Sequence, residues 1–228
     1  MEIAPDVHQV RMLGADSFLL ADERLTLIDA GMVGSRLSLE RELRRIGRGL
    51  DELERIVCTH GHPDHIGGLR ELVRDRDDIE VLIHPADLAG LQRPFRDALD
   101  ASEPRAERRG RLIQYLTRSP SGASAVHDDD VIPVLGGLRV VHTPGHTPGS
   151  ICLYLEEPRI LFTGDVLQVI RGQLTYASAF FSHDHAGART SVERLAALDV
   201  STIALSHYPP WRDQPNETLR ALAARAAV

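Results

Sequence analysis

Little in this sequence suits a polyanion partner or a membrane. Aromatic residues make up only 4% of the 228 residues, and no stretch approaches the ~18–20 apolar residues that a membrane-spanning helix needs. The opening Met1-Glu2-Ile3-Ala4-Pro5-Asp6 has no basic segment leading into an apolar run, so a cytoplasmic location without a leader is expected. Basic residues are outnumbered, 26 Lys and Arg against 33 Asp and Glu, giving a net charge of −7 with the two signs interspersed. That balance excludes a basic face for nucleic acid. Only two cysteines occur, Cys58 and Cys152, each in an apolar, strand-like run where a buried thiol is the expected reading, not a disulfide or a metal ligand.

What is present is a core-forming composition, 43% hydrophobic, sufficient for a single domain over 1–228. Histidine stands out, at 11 residues. Short strands are expected at 9–13, 17–22 and 25–29, the last two joined by the Asp22-Glu23-Arg24 turn. An amphipathic helix is expected from Ser35 to Ile46 on Leu37, Leu39, Leu43 and Ile46, with Asp51 as a cap or turn residue after it. Arg55–Thr59 reads as a buried strand and Ile79–Pro85 as another, with helical spacing of Ile66, Leu69, Leu72 and Val73 between them. The alternation indicates an α/β arrangement. Residues 86–125 are rich in charge and read as a helical insertion or lid. Strands are expected again at 131–134, 138–142, 150–155 and 159–163, then a helix over 187–198, a strand over 201–206 and a closing helix from Asn216.

Chemistry concentrates in Thr59-His60-Gly61-His62-Pro63-Asp64-His65, where four groups able to bind a metal fall within six residues at the end of a strand. Zinc prefers imidazole nitrogen and carboxylate oxygen, and a catalytic zinc keeps a position open for water. Four such ligands would crowd one ion, whereas two adjacent ions relieve the crowding. The completing ligands should follow other strands, and the candidates are His146, Asp165 and His207. One ion would then take His60, His62 and His146, the other Asp64, His65 and His207, with Asp165 between them. His142 reads as a strand-end hydrogen-bonding residue, and Asp184 in His183-Asp184-His185 as a helix cap. His8, His84 and His127 carry no functional reading.

The order IDAG, HGHPDH, HTPGHTPGS, TGD and a late strand-end His resembles the metallo-β-lactamase superfamily from Asp29 to His207, in particular its glyoxalase II-like and lactonase-like group. The resemblance implies a four-layer αββα sandwich, an α/β (α+β) fold with the helical insertion at 86–125, and a dinuclear site with the ligands just given. It also implies Asp29 as a residue orienting the ligand histidines. Two ions, zinc with iron or manganese as alternatives, would activate a bridging hydroxide against a carbonyl. Asp64 would act catalytically as well as ligating, by orienting the water or accepting its proton.

Fold and metal site do not name a substrate. Asp165 occupies a position where many zinc β-lactamases lack a carboxylate, which favours a thioester, lactone or related carboxylic ester over a β-lactam. About twenty residues follow His207, against a helical glutathione-binding domain in full-length glyoxalase II. Gln168 stands where related lactonases place a Tyr. A mononuclear iron oxidoreductase of the persulfide dioxygenase type is the alternative of a different class. Gln168, Tyr176, Phe180, Phe181, Tyr208 and Trp211 are candidate pocket residues. The expected partner is a small molecule, with no nucleic acid and no membrane, and a homodimer left open.

Overall fold

The computed structural model describes residues 1–91 and 123–226. Most of the expected insertion therefore lies outside the described residues. Its first turns form a helix, Pro85–Leu91.

A seven-stranded sheet runs in sequence order through β1 (Glu2–Ala4), β2 (Val7–Val10), β3 (Ser17–Ala21), β4 (Leu25–Ile28), β5 (Leu53–Val57), β6 (Glu80–Ile83) and β7 (Ser124–Ala125). A five-stranded sheet orders β14 (Thr202–Ala204), β11 (Ile160–Phe162), β10 (Ile151–Leu155), β9 (Leu138–His142) and β8 (Val131–Ile132). A separate hairpin pairs β12 (Leu167–Ile170) with β13 (Gln173–Tyr176). The helices are α1 (Arg36–Arg45), α2 (Pro63–Ile66), α3 (Leu69–Val73), α4 (Pro85–Leu91), α5 (His185–Leu195) and α6 (Pro215–Ala226).

The strands are apolar on consecutive residues because both faces of each sheet are covered. Side chains alternate across a strand, so Phe18 and Leu20 face the inter-sheet core while Leu19 faces the helix side. Ile151, Leu153 and Leu155 likewise point between the sheets, and Cys152 and Tyr154 point outward. Three apolar layers result. One lies under α1 to α3, one lies between the sheets, and one lies under α5 and α6. Phe18 and Phe162 meet across the middle layer with ring centroids 5.1 Å apart. This is the αββα order.

Two expectations shift locally. The strand read at 9–13 is Val7–Val10, because the preceding hairpin from β1 sets its register. Leu37 is 67% exposed, although its spacing suggested a place in the apolar stripe of α1. The stripe is Leu39, Leu43 and Ile46, spaced i, i+4, i+7, and Leu37 lies about 200° round the helix from Leu39. The hairpin β12–β13 was not anticipated as strands.

Topology decides where loops gather. β4, β5 and β6 are parallel, so their carboxyl ends lie along one edge. β11 and β14 are also parallel, with Phe162 opposite Ala204. The two edges meet: Ile151 N donates to Thr59 O at 2.9 Å and Asp16 N to Ser206 O at 2.6 Å, both across the seam between the sheets.

Candidate metal centre

The loop after β5 carries His60 to His65. Pro63 occupies the first position of α2, where its fixed φ suits a helix start and its missing N–H costs nothing. His62 therefore stays extended just before the helix, and Asp64 and His65 lie in its single turn. From the second sheet, the β9–β10 turn brings His146, the end of β11 brings Asp165, and the end of β14 brings His207.

These seven side chains converge as two groups of four, His60, His62, His146, Asp165 and Asp64, His65, Asp165, His207, each with ligand atoms within 4.8 Å of one another. His146 Nε2 stands 3.2 Å from His60 Nε2 and 2.9 Å from His62 Nδ1. Nitrogens bound to a tetrahedral zinc at ~2.0–2.1 Å lie ~3.3–3.4 Å apart, so this spacing fits one ion at the centre of the three rings. Asp165 offers a different oxygen to each group. Its Oδ2 is 3.5 Å from His146 Nε2, and its Oδ1 is 3.2 Å from both His65 Nε2 and His207 Nε2. Asp64 Oδ2 closes the second group at 3.5 Å from His207 Nε2.

His65 Nε2 and Asp165 Oδ1 are both buried and neither is aligned for a hydrogen bond, despite their proximity. Buried polar atoms are ordinarily paired. Two facing orphans aimed at one point suit a shared cation, so the residues present fit the expected metal.

Electrostatics differ between the two clusters, and the first agrees with that reading. Burial holds His60, His62 and His146 below the usual imidazole pKa, His146 at about 4, so each offers a lone pair at neutral pH. Burial also depresses His65, but the carboxylates of Asp165 and Asp29 outweigh it and leave His65 well above its ordinary value. Burial would raise Asp165, yet His65, His207 and His60 hold it well below the carboxylate range. The adjoining Asp165 carboxylate raises His207. The site is thus a charge-dense pocket held together by one carboxylate.

Asp29 sits where the sequence placed it. Its backbone has φ of 59°, a left-handed conformation that Asp tolerates. Its carboxylate accepts from Thr59 N at 2.8 Å and Thr59 Oγ1 at 2.8 Å, and lies 2.7 Å from His65 Nδ1. This fixes the ring so that Nε2 faces the cluster. Cys58 and Cys152 are free and buried, and burial raises both thiols, Cys152 to about 12.

A cleft of about 580 Å³ opens beside the clusters, walled by Pro63, Leu167, Gln168, Phe181 and Tyr208 with Asp64, Asp165 and His207 at its base. Phe180 lines an adjoining hollow and is 87% exposed. Tyr176 and Trp211 do not line this cleft. The Tyr176 hydroxyl donates to Leu222 O under α6, and Trp211 bridges to Ile203 and donates from Nε1 to Asp213 O. Both were drawn away by apolar packing in the outer layer. His142 lies at the end of β9 with Nε2 3.0 Å from Pro148 O, and Asp184 caps α5 through Gly187 N, as expected.

The sequence reading missed Asp87. It is 8% exposed, at the start of α4, and its carboxylate accepts from Gly61 N, Thr147 Oγ1 and Gly149 N. A usable signal existed: Asp87 follows an apolar strand within four residues, as Asp29 does, but it fell in the stretch read as an insertion.

Facing sheet edges with paired histidine and carboxylate clusters make a site able to hold metal at one edge of an αββα sandwich. The chain belongs to the metallo-beta-lactamase superfamily, whose family profile matches residues 10–207. It is 28% identical to "Probable metallo-hydrolase YflN" of Bacillus subtilis (strain 168) over 236 residues, covering 92% of this chain and 86% of that one. It is 38% identical to "Acyl-coenzyme A thioesterase MBLAC2" of Bos taurus over 119 residues, which covers 49% of this chain and 40% of that protein. The crystal structure of a metallo-beta-lactamase family protein from Thermus thermophilus superposes with a TM-score of 0.76 at 22% identity, covering 99% of this chain and 81% of the other.

Proposed function

We propose that the chain is a dinuclear metallo-hydrolase that cleaves a thioester or a related carboxylic ester, lactones included. The single observation carrying this is Asp165, which turns one oxygen to each histidine cluster. Two divalent ions held there would supply a water of lowered pKa and a polarised carbonyl. His60, His62 and His146 hold one ion and Asp64, His65 and His207 the other. Zinc fits the nitrogen-rich donor set.

The residues around them complete the reading. Asp64, with its side chain 32% exposed, lines the cleft, and in this reading it would orient the attacking water and take its proton. Leu167, Phe181, Tyr208 and Pro63 give the cleft an apolar wall suited to an acyl chain. The partial likeness to acyl-coenzyme A thioesterases supports a thioester as substrate.

The test is a panel of acyl thioesters, lactones, aryl esters and a β-lactam, assayed on zinc- and iron-loaded protein with metal content measured. Two ions per chain and preferred turnover of thioesters or esters are expected, with activity lost in His60→Ala. A single iron with oxygen consumption, or a β-lactam as the best substrate, would overturn the reading.

A further inference from the structure

Each histidine cluster has a buried carboxylate behind it. Asp29 touches the second cluster directly at His65 Nδ1, and reaches the first only through Thr59 Oγ1, which stands 3.1 Å from His60 Nδ1. We infer that Asp87 is the matching positioning residue for the first, the His60, His62, His146 cluster, and that it tunes metal affinity there; this rests on the two-ion reading above.

The geometry is specific. The three histidines come from two loops on different sheets, so nothing in either loop alone fixes the distance between them. Asp87 touches both. Gly61, lying between His60 and His62, donates its N–H to Asp87 Oδ2 at 2.8 Å. Thr147, the residue after His146, donates its hydroxyl to the same oxygen at 2.7 Å, and Gly149 N donates to Oδ1 at 2.8 Å. One carboxylate therefore ties the peptide between His60 and His62 to the turn that carries His146. Ser150 reinforces the turn, accepting from Thr147 N at 2.9 Å.

The turn is also shaped to admit this carboxylate. A Cβ on Gly149 would stand 2.6 Å from Asp87 Cγ and 2.7 Å from Asp87 N, so no larger residue fits while Asp87 is in place. Only an ionised carboxylate accepts three donors with two oxygens and offers none in return. An asparagine would turn an amide N–H toward one of the three N–H or O–H groups. Asp87 meets neither ion's ligand atoms directly, so its effect passes through backbone position. Loss of such outer supports typically weakens metal binding roughly 10- to 100-fold.

The test uses metal titration of the full chain with zinc and with cobalt(II), following bound metal and the cobalt visible spectrum. Asp87→Asn is introduced into wild type, into His207→Ala, where the first cluster reports alone, and into His60→Ala, where the second does. In the His207→Ala background the substitution should weaken binding roughly 10- to 100-fold and alter the cobalt bands. In the His60→Ala background affinity should stay unchanged. Thr147→Val, which removes one donor and keeps the side-chain shape, should give a smaller loss in the same background only, and it decides the matter if Asp87→Asn does not fold. Equal losses in both backgrounds would reduce Asp87 to general structural support and overturn the inference, as would unchanged affinity in both. If wild type itself bound fewer than two ions, the two-ion reading would fail instead.

Discussion

Replacing Gly145 by Ala tests how tightly the His146 turn is pressed against α5. Gly145 has φ of +137°, where an L side chain is strained, and a Cβ there would stand 2.1 Å from Ala188 N and 2.3 Å from Ala188 Cα. Both are backbone atoms of α5, which cannot rotate aside as a side chain would. The helix is also tied to this turn, since Asp184 N donates to Gly145 O at 2.8 Å and Ser191 Oγ to Pro144 O at 2.7 Å. Backbone strain costs ~1–3 kcal/mol and overpacking a further ~1–3 kcal/mol, so the total is about 2–6 kcal/mol. At ~2–4 °C per kcal/mol for a chain of this size, Tm should fall by roughly 5–20 °C. The assay is thermal denaturation of the metal-free protein, with Gly47→Ala as the reference. Gly47 has φ of +73° and nothing within 4 Å of its added Cβ, so it carries only the ~1–2 kcal/mol backbone cost. If the two variants lost the same Tm, the close contact between turn and helix would be wrong.

Two further outcomes follow from named contacts. Asp29→Asn should leave one of the buried donors from Thr59 or His65 facing an amide N–H, costing ~1–3 kcal/mol. Metal affinity at the second cluster should drop roughly 10- to 100-fold, and isothermal titration beside a melt of the metal-free chain would check both. His8 is 5% exposed and burial holds its pKa below 6.5, against the pull of Glu42. The unfolded chain therefore takes up a proton near pH 6.5 that the folded one resists, so stability falls as pH drops below 6.5. His8→Gln should flatten that part of a urea-denaturation pH profile, and an unchanged slope would remove His8 as its source.

The seven clustered side chains were legible because their types and their places after strands are readable in the sequence. His60 to His65 lie side by side, and His146, Asp165 and His207 each follow an apolar strand within a few residues, so residue type and strand order suffice. Asp29 was legible only through the family resemblance. Asp87 was not, because its partners lie 26, 60 and 62 residues away and the contacts arise only once both sheets pack. Tyr176 and Trp211 looked like pocket residues because aromatic groups near a ligand suit either role. Their direction was set by the apolar layer beneath α5 and α6, which no local pattern reports. The hairpin β12–β13 escaped because its four-residue strands pair with each other and with neither main sheet.

The seam between the sheets has a consequence for the lifetime of the protein. His60, His62, Asp64 and His65 hang from one sheet, and His146, Asp165 and His207 from the other. Any ion gripping both halves acts as a rivet through the sandwich, and the chain cannot open without releasing it. Binding to the folded state alone adds ~2.7 kcal/mol of stability when free metal reaches 100 times Kd. Resistance to proteases should then rise with the concentration of free metal.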